Sequence, residues 1–418
     1  MSSDIVIIGG GLQGASIALE LANRGKRVTL IERDHQIMNR ASLRNEGKIH
    51  LGLIYAADET MRTAKTQLVG AFSFFPLINR WLGDEAKSIG ISTPFCYLVA
   101  DDSLKSPDEL EEHYGKLSDF AREFSASNSS MFYPGYDGGA LAQPAEPARS
   151  NWFSKSKVTS VFDTAEIAIN TDSLAKACRQ AVLAHPDIEV LCDRYCKSIT
   201  RHSSGIRLQG GGADGAWTLE AEQVVNCSWE NRLLLDAQMD LAAPSGWVHR
   251  LKYRLIAQLP AAMLAAPSAT IVLGPYGDVV VRDDGRAYLS WYPTGCKGWS
   301  HELAPPESWN DPCRGDPDQD VASTITHQAM KNLAEWYPAI MDATPLYVDA
   351  GAIVAYGKTD VDDPDSKLHD RTRIGVFGDD DYLSVDPGKL TTAPYYAVLA
   401  ADKITGDQSG FGALTDFQ

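Results

Sequence analysis

The 418-residue chain has no apolar run near the ~18 residues that a membrane-spanning helix needs, and its seven cysteines include no C-x-x-C pair. These absences argue against a helical membrane span and against a zinc site. Cys96, Cys178, Cys192, Cys196, Cys227, Cys296 and Cys313 are odd in number and scattered, so no disulfide framework is indicated. Basic residues are also in deficit: 38 Lys and Arg stand against 55 Asp and Glu, a net charge of −17. Such a field repels polyanions and argues against a nucleic-acid partner. There is no internal repeat or low-complexity tract. With 44% hydrophobic and 22% charged residues, the composition is that of a globular protein of about two or three domains. The chain enters a strand almost at once, without a charged flank or cleavage site, so a cytoplasmic location is expected. The acids of Ser308 to Asp320 lack the regular spacing of an EF-hand, so that segment is expected to be a surface connector and no metal site is expected.

What the chain does contain is concentrated near its start, in DIVIIGGGLQGASIALELANRGKRVTLIER. Asp4 to Ile8 reads as a parallel strand covered on both faces. Gly9, Gly11 and Gly14 follow as G-x-G-x-x-G: a tight turn, room for a pyrophosphate, and close helix–strand packing. Leu12 and Gln13 open a helix that Gly25 stops, and Val28 to Ile31 forms a second strand. Glu32 ends that strand, 18 residues after Gly14, where a carboxylate accepts from both hydroxyls of an adenosine ribose, with Arg33 beside it. The same charge disfavours a 2′-phosphate. An ADP-containing dinucleotide is implied, either FAD or NAD.

Two further segments bear on that choice. In ASLRNEGKIHLGLIYA, Ser42, Arg44 and Asn45 are positioned to hold diphosphate oxygens, and the stretch through Lys48 and His50 runs on toward a redox ring. Near the far end, SVDPGKLTTAPYYAVLAADKI places Pro387 and Gly388 in a turn, then Lys389 and Leu390, with Thr391 and Thr392 as expected caps of a helix over Tyr395 to Ile404. A helix N-terminus suits the anionic N1/C2=O edge of a reduced flavin.

On these motifs the chain resembles the D-amino-acid oxidase / glycerol-3-phosphate dehydrogenase superfamily of FAD-dependent oxidoreductases. RNEGKIH (44–50) is similar to a segment of the L-2-hydroxyglutarate oxidase type, and GKLTT (388–392) to the flavin-binding end of glycerol-3-phosphate dehydrogenases. INTDSLAKACRQAV (169–182) and AEQVVNCSWENRLL (221–234) resemble the family's central helix and the strand returning to the cofactor, which brings in Asn226 and Cys227. Cys196 would lie where the family's backbone contacts adenine. The chain departs from the pattern at Asn226 to Trp229, which replace a run of small residues, and at Pro387, which stands in a glycine pair.

The resemblance implies an α/β fold: a Rossmann-like (GR2-type) FAD-binding domain with a discontinuous antiparallel-sheet α+β substrate domain. The first would take residues 1–90, 159–237 and 357–418, and the second 91–158 and 239–356. Residues 205–215 are expected to form a glycine-rich turn region between strands, while 270–275, 278–284 and 287–293 read as strands.

A flavin accepts a hydride at N5 from a carbon bearing oxygen or nitrogen. The implied reaction is therefore oxidation of a CH–OH or CH–NH carbon in a small, anionic substrate, by an oxidase or a dehydrogenase. The alternatives are an amino-acid or secondary-amine oxidase and, in another class, a non-redox FAD-binding protein. Oxygen and a quinone both stay open as electron acceptor. His50 is the candidate base for a hydroxyl proton, or else a hydrogen-bonding partner of the flavin or a loop. Arg282, Tyr288 and Lys358 are candidate substrate contacts, alongside Arg250 and Arg254, while Tyr276, Trp291 and Tyr292 are candidates for an aromatic wall.

Overall fold

The computed structural model describes residues 2–357 and 371–411. Its first sheet forms around β1 (Ser2–Ile8), whose apolar residues are covered on both faces. β1 runs parallel to β2 (Val28–Ile31) on one side and β11 (Gly215–Asn226) on the other, with Val6 opposite Thr29 and Val224. β8 (Ile188–Leu191) extends the sheet beyond β2, and β19 (Tyr382–Asp386) extends it beyond β11, both in parallel. β18 (Gly375–Gly378) closes the edge antiparallel to β19. The helices α1 (Leu12–Asn23) and α2 (Arg62–Leu82) and the helix Ala393–Thr405 pack together over one face.

β9 (Arg194–His202) and β10 (Gly205–Gly212) form an antiparallel arm on β11. This corrects the expected turn at 205–215, most of which is strand. Ile206 and Leu208 bury themselves in a small apolar core, and at Gly210 a Cβ would stand 1.9 Å from the Tyr195 carbonyl. The glycines there admit a close neighbouring chain instead of ending the strand.

The second sheet has the order β16 (Cys296–Ser300), β12 (Trp247–Gln258), β15 (Arg286–Trp291), β14 (Gly277–Val281), β13 (Ser268–Val272), β4 (Phe95–Val99), β6 (Ser160–Thr164), β5 (Ala142–Pro144). β17 (Thr344–Tyr356) pairs along the length of β12. All its pairings are antiparallel except β4 with β13. The strands expected over 270–293 appear as β13, β14 and β15. A two-residue ribbon pairs β3 (Lys48–Ile49) with β7 (Ile167–Ala168).

Candidate active site

A cavity of about 370 Å³ opens where the C-terminal ends of β1, β2 and β11 meet the inner face of the second sheet. At one end lie Gly9, Gly11, Leu12, Gln13, Glu32, Arg33, Cys196 and Cys227. Gly9 adopts φ +101°, and a Cβ there would stand 2.5 Å from the Cys227 carbonyl oxygen. Gly14 lies behind the loop, where a Cβ would meet the Gly9 carbonyl oxygen at 2.0 Å. The glycine spacing therefore serves backbone packing as well as access. Glu32 accepts the Gly10 amide at 2.7 Å and the Asp34 amide at 2.9 Å. Burial raises its pKa above the ordinary value, and these two amides oppose the rise.

Ser42 reaches the start of α1, accepting the Leu12 amide at 2.8 Å. Both polar atoms of the buried Gln13 amide lack a partner among the described residues, although Gln13 lines the cavity. Unpaired buried amides are costly, so they mark a place for a polar ligand. Arg44 and Asn45 also line the cavity but brace their own loop. Arg44 pairs with Asp349 at 3.3 Å and donates to the Arg314 carbonyl, and Asn45 accepts the Gly47 amide at 2.7 Å.

Arg33 pairs with Glu230, and Arg40 bridges Glu230 and Asp34. Burial alone would raise Asp34, but hydrogen bonding and charge from Arg40, with Asn39 and Arg33, bring it down to about 2. The segment expected as a surface connector joins this cluster through the short helix Asn310–Arg314, with Trp309 and Cys313 buried. Arg314 donates to Asp34 at 3.1 Å and Asn310 accepts from Arg40 at 3.0 Å. Its tryptophan, proline and cysteine supplied the apolar anchor that its many polar residues obscured.

At the other end lie His50, Tyr288, Pro387, Gly388, Lys389 and Leu390. His50 is buried, its amide donates to the Thr391 hydroxyl at 2.9 Å, and neither ring nitrogen has a hydrogen-bond partner among the described residues. Burial and the Lys389 charge lower its pKa below 6.5, so the ring is neutral at neutral pH. Lys48 turns away from the glycine loop and donates to Thr270 and, at 3.0 Å, to Asp278 in the second sheet.

Thr391 and Thr392 do not cap the terminal helix with their side chains. Thr391 instead donates to the Lys48 carbonyl at 3.3 Å, and Thr392 to the Pro387 carbonyl, folding the turn onto β3. Neither Thr391 nor Asn226 lines the cavity. Asn226 is committed behind it, donating to Asp236 at 2.9 Å and to the Tyr382 hydroxyl at 2.9 Å. Arg282 is likewise outside the cavity, because Asp172 and Asn170 hold its guanidinium at the start of the helix Thr171–Ala184. Trp291 is also absent from the lining, while Tyr276 and Tyr292 are present. Lys358 lies outside the described residues.

Lys252 and Glu46 enter the lining without having been singled out in the sequence. The signal for Lys252 was available, because Arg250, Lys252 and Arg254 stand two apart on β12 and share one strand face. Lys48, Arg250, Lys252, Arg371 and Lys389 surround this end of the cavity against the two carboxylates Glu46 and Asp278. Burial lowers the Lys389 pKa to about 8, with Arg371, Lys252 and Lys48 adding to the fall and Glu46 opposing it.

A Rossmann-like sheet joined to a largely antiparallel sheet, with a glycine loop at one end of the shared cavity and a neutral histidine at the other, defines a nucleotide-dependent oxidoreductase site. Residues 4–385 match the profile of the FAD dependent oxidoreductase family, and the chain belongs to that family, with FAD as its cofactor. A glycine oxidase from Geobacillus kaustophilus shares the fold at a TM-score of 0.69 and 16% identity, over 98% of each chain. An L-α-glycerophosphate oxidase from Mycoplasma pneumoniae, solved with FAD bound, superposes at a TM-score of 0.62 and 15% identity, over 97% of this chain and 95% of that one. A subunit of the anaerobic glycerol-3-phosphate dehydrogenase of Escherichia coli (strain K12) is 52% identical over 58 residues, 14% of this chain. The match spans about a tenth of that relative's length, 10%. Among the described residues no helix is long and apolar enough to cross a membrane.

Proposed function

We propose that the protein oxidises the CH–OH carbon of a small anionic substrate, with His50 taking the hydroxyl proton. The observation that carries this reading is the His50 ring, kept neutral by burial and the Lys389 charge, without a hydrogen-bond partner among the described residues and lining the same cavity as the glycine loop. FAD supplies the two-electron hydride acceptor when bound. Gly9, Gly11, Leu12, Gln13, Glu32, Cys196 and Cys227 line the cavity and would hold its ADP half, while Gly388 to Leu390 would border its ring. The surplus of lysine and arginine in the cavity lining favours a carboxylate or phosphate despite the negative charge of the whole chain.

Removing the hydroxyl proton as hydride departs is the work of a general base, worth about 10²–10⁴-fold. Anaerobic addition of 2-hydroxy acids, glycerol phosphates, amino acids and secondary amines, followed by flavin bleaching, identifies the reacting bond. Bleaching by a hydroxy compound is expected, and His50→Asn should retain FAD and slow that bleaching by about 10²–10⁴-fold. Bleaching by amines alone, unaffected in His50→Asn, would establish the second reading, an amine oxidation in which the substrate nitrogen lone pair replaces the base. The glycine oxidase likeness is the observation behind that second reading.

A further inference from the structure

The ribbon register pairs Lys48 with Ala168 and Ile49 with Ile167, so one further step sets Glu166 across from His50. Glu166 has 0% exposure and lies outside the cavity lining. It accepts the Leu51 amide at 2.8 Å through Oε2 and the Tyr97 hydroxyl through Oε1. Oε1 also stands 3.9 Å from His50 Nδ1. On the opposite edge of the ring, Nε2 stands 3.8 Å from Oε1 of Glu46, a residue that lines the cavity. The Nδ1 edge thus faces the interior and the Nε2 edge faces the cavity.

We infer that Glu166 is the positioning residue of His50, holding the neutral imidazole with its proton on Nδ1 and its Nε2 lone pair toward the cavity. The inference rests on the reading of His50 as the base. An ionised carboxylate only accepts hydrogen bonds, and a buried one requires donors. The two donors on Glu166, Leu51 N–H and Tyr97 O–H, are neutral, whereas Glu46 faces the charges of Lys252 and Lys389. A proton on Nδ1 gives Glu166 a third donor. A proton on Nε2 would set two acceptor groups against each other in the interior, whereas a proton on Nδ1 turns the Nε2 lone pair toward a Glu46 carboxylate already balanced by Lys252 and Lys389. This pairing requires the 3.9 Å separation to close to a hydrogen bond in the loaded enzyme, and contacts of catalytic groups commonly tighten there.

The test is ¹⁵N NMR of histidine side chains in the FAD-loaded protein, with His50→Asn identifying the signal. The wild type should carry its proton on Nδ1. Glu166→Gln keeps the side-chain volume and an acceptor for Leu51, but presents an amide N–H₂ to the ring, so Nδ1 must accept and the proton should move to Nε2. Loss of the carboxylate should also lower the pH at which the ring protonates, with Glu46, Lys389 and Lys48 still facing it and Tyr55 packed at 5.9 Å. Tyr97→Phe retains the Glu166 charge and should leave the proton on Nδ1. A wild-type proton on Nε2, or one tautomer shared by the wild type and Glu166→Gln, would overturn the inference. Should Glu166→Gln fail to fold, the wild-type tautomer decides alone. Unslowed bleaching in His50→Asn would remove the base but leave the tautomer result intact, so the two failures are distinguishable.

Discussion

Arg254 and Asp349 form a two-point ion pair inside the second sheet, Nε to Oδ1 at 2.6 Å and Nη2 to Oδ2 at 3.0 Å. The remaining nitrogen of the guanidinium reaches out of that sheet to the carbonyls of Leu43 and Asn45 at 3.0 and 3.2 Å. Asp349 also forms an ion pair with Arg44 of the same loop at 3.3 Å. A buried pair on β12 and β17 therefore fixes the shape of the loop that delivers Ser42 to the start of α1.

Arg254→Met would leave the buried Asp349 to Arg44, at the longer distance of 3.3 Å, and would free two loop carbonyls. Breaking one side of a buried pair costs about 3–5 kcal/mol, so the denaturation midpoint should fall. Flavin occupancy should fall with it, because the loop is no longer held against α1. A midpoint equal to that of the wild type would contradict the assignment.

Glu32 presents acceptors to Gly10 and Asp34 and lies at the cavity end proposed for the ribose. In Glu32→Gln one acceptor becomes a donor facing a backbone amide. Loss of charge-assisted hydrogen bonding worth about 1.5–3 kcal/mol should weaken FAD binding roughly 10- to 100-fold in flavin titration. Unchanged affinity would place the ribose elsewhere.

The parts legible in the sequence are those built from near neighbours. Strand, glycines, helix and Glu32 follow one another within residues 4–32, so their order alone implied the sheet and its nucleotide end. Glu166 was not legible, because its nearness to His50 depends on a two-residue ribbon joining segments far apart in sequence, too short to leave an alternation of its own. Arg282 shows the opposite failure. Its basic charge suggested an anionic substrate, yet Asp172 and Asn170, distant in sequence, hold it at the start of a helix. In a chain so rich in acids, a single cation is a weak pointer, whereas three cations at strand spacing, Arg250, Lys252 and Arg254, share a face and converge on the cavity.

The pH dependence follows from two groups with opposite consequences. Lys389 loses its proton near pH 8 instead of 10.5, so it attracts an anion below about 8 and not above it. Affinity for an anionic substrate should fall as pH rises through about 8, and Lys389→Arg should remove that limb. His50 is the reverse case. Its depressed pKa keeps the basic form present below 6.5, so the acid limb of flavin reduction should lie below 6.5. Rapid-reaction reduction measured from pH 5 to 10 checks both signs. An alkaline limb that persists unchanged in Lys389→Arg would assign it to another group.

Thr391 joins segments from the two ends of the sequence beside His50. Its hydroxyl accepts the His50 amide at 2.9 Å and donates to the Lys48 carbonyl at 3.3 Å, and its side chain is fully buried. Thr391→Val preserves the branched shape but leaves a buried amide and a buried carbonyl without this partner. Each unsatisfied group costs about 1–3 kcal/mol, so the variant should unfold at lower denaturant. The His50 backbone would also lose its anchor, so reduction by the substrate identified in the bleaching screen should slow, with binding less affected. Thr391→Ser supplies the same hydroxyl with one methyl fewer and should recover most of the reduction rate while keeping a small packing loss. If Thr391→Val reduced as fast as the wild type while Thr391→Ser was impaired, the methyl would be the contribution of Thr391, and the link from the terminal turn to His50 would rest on packing alone.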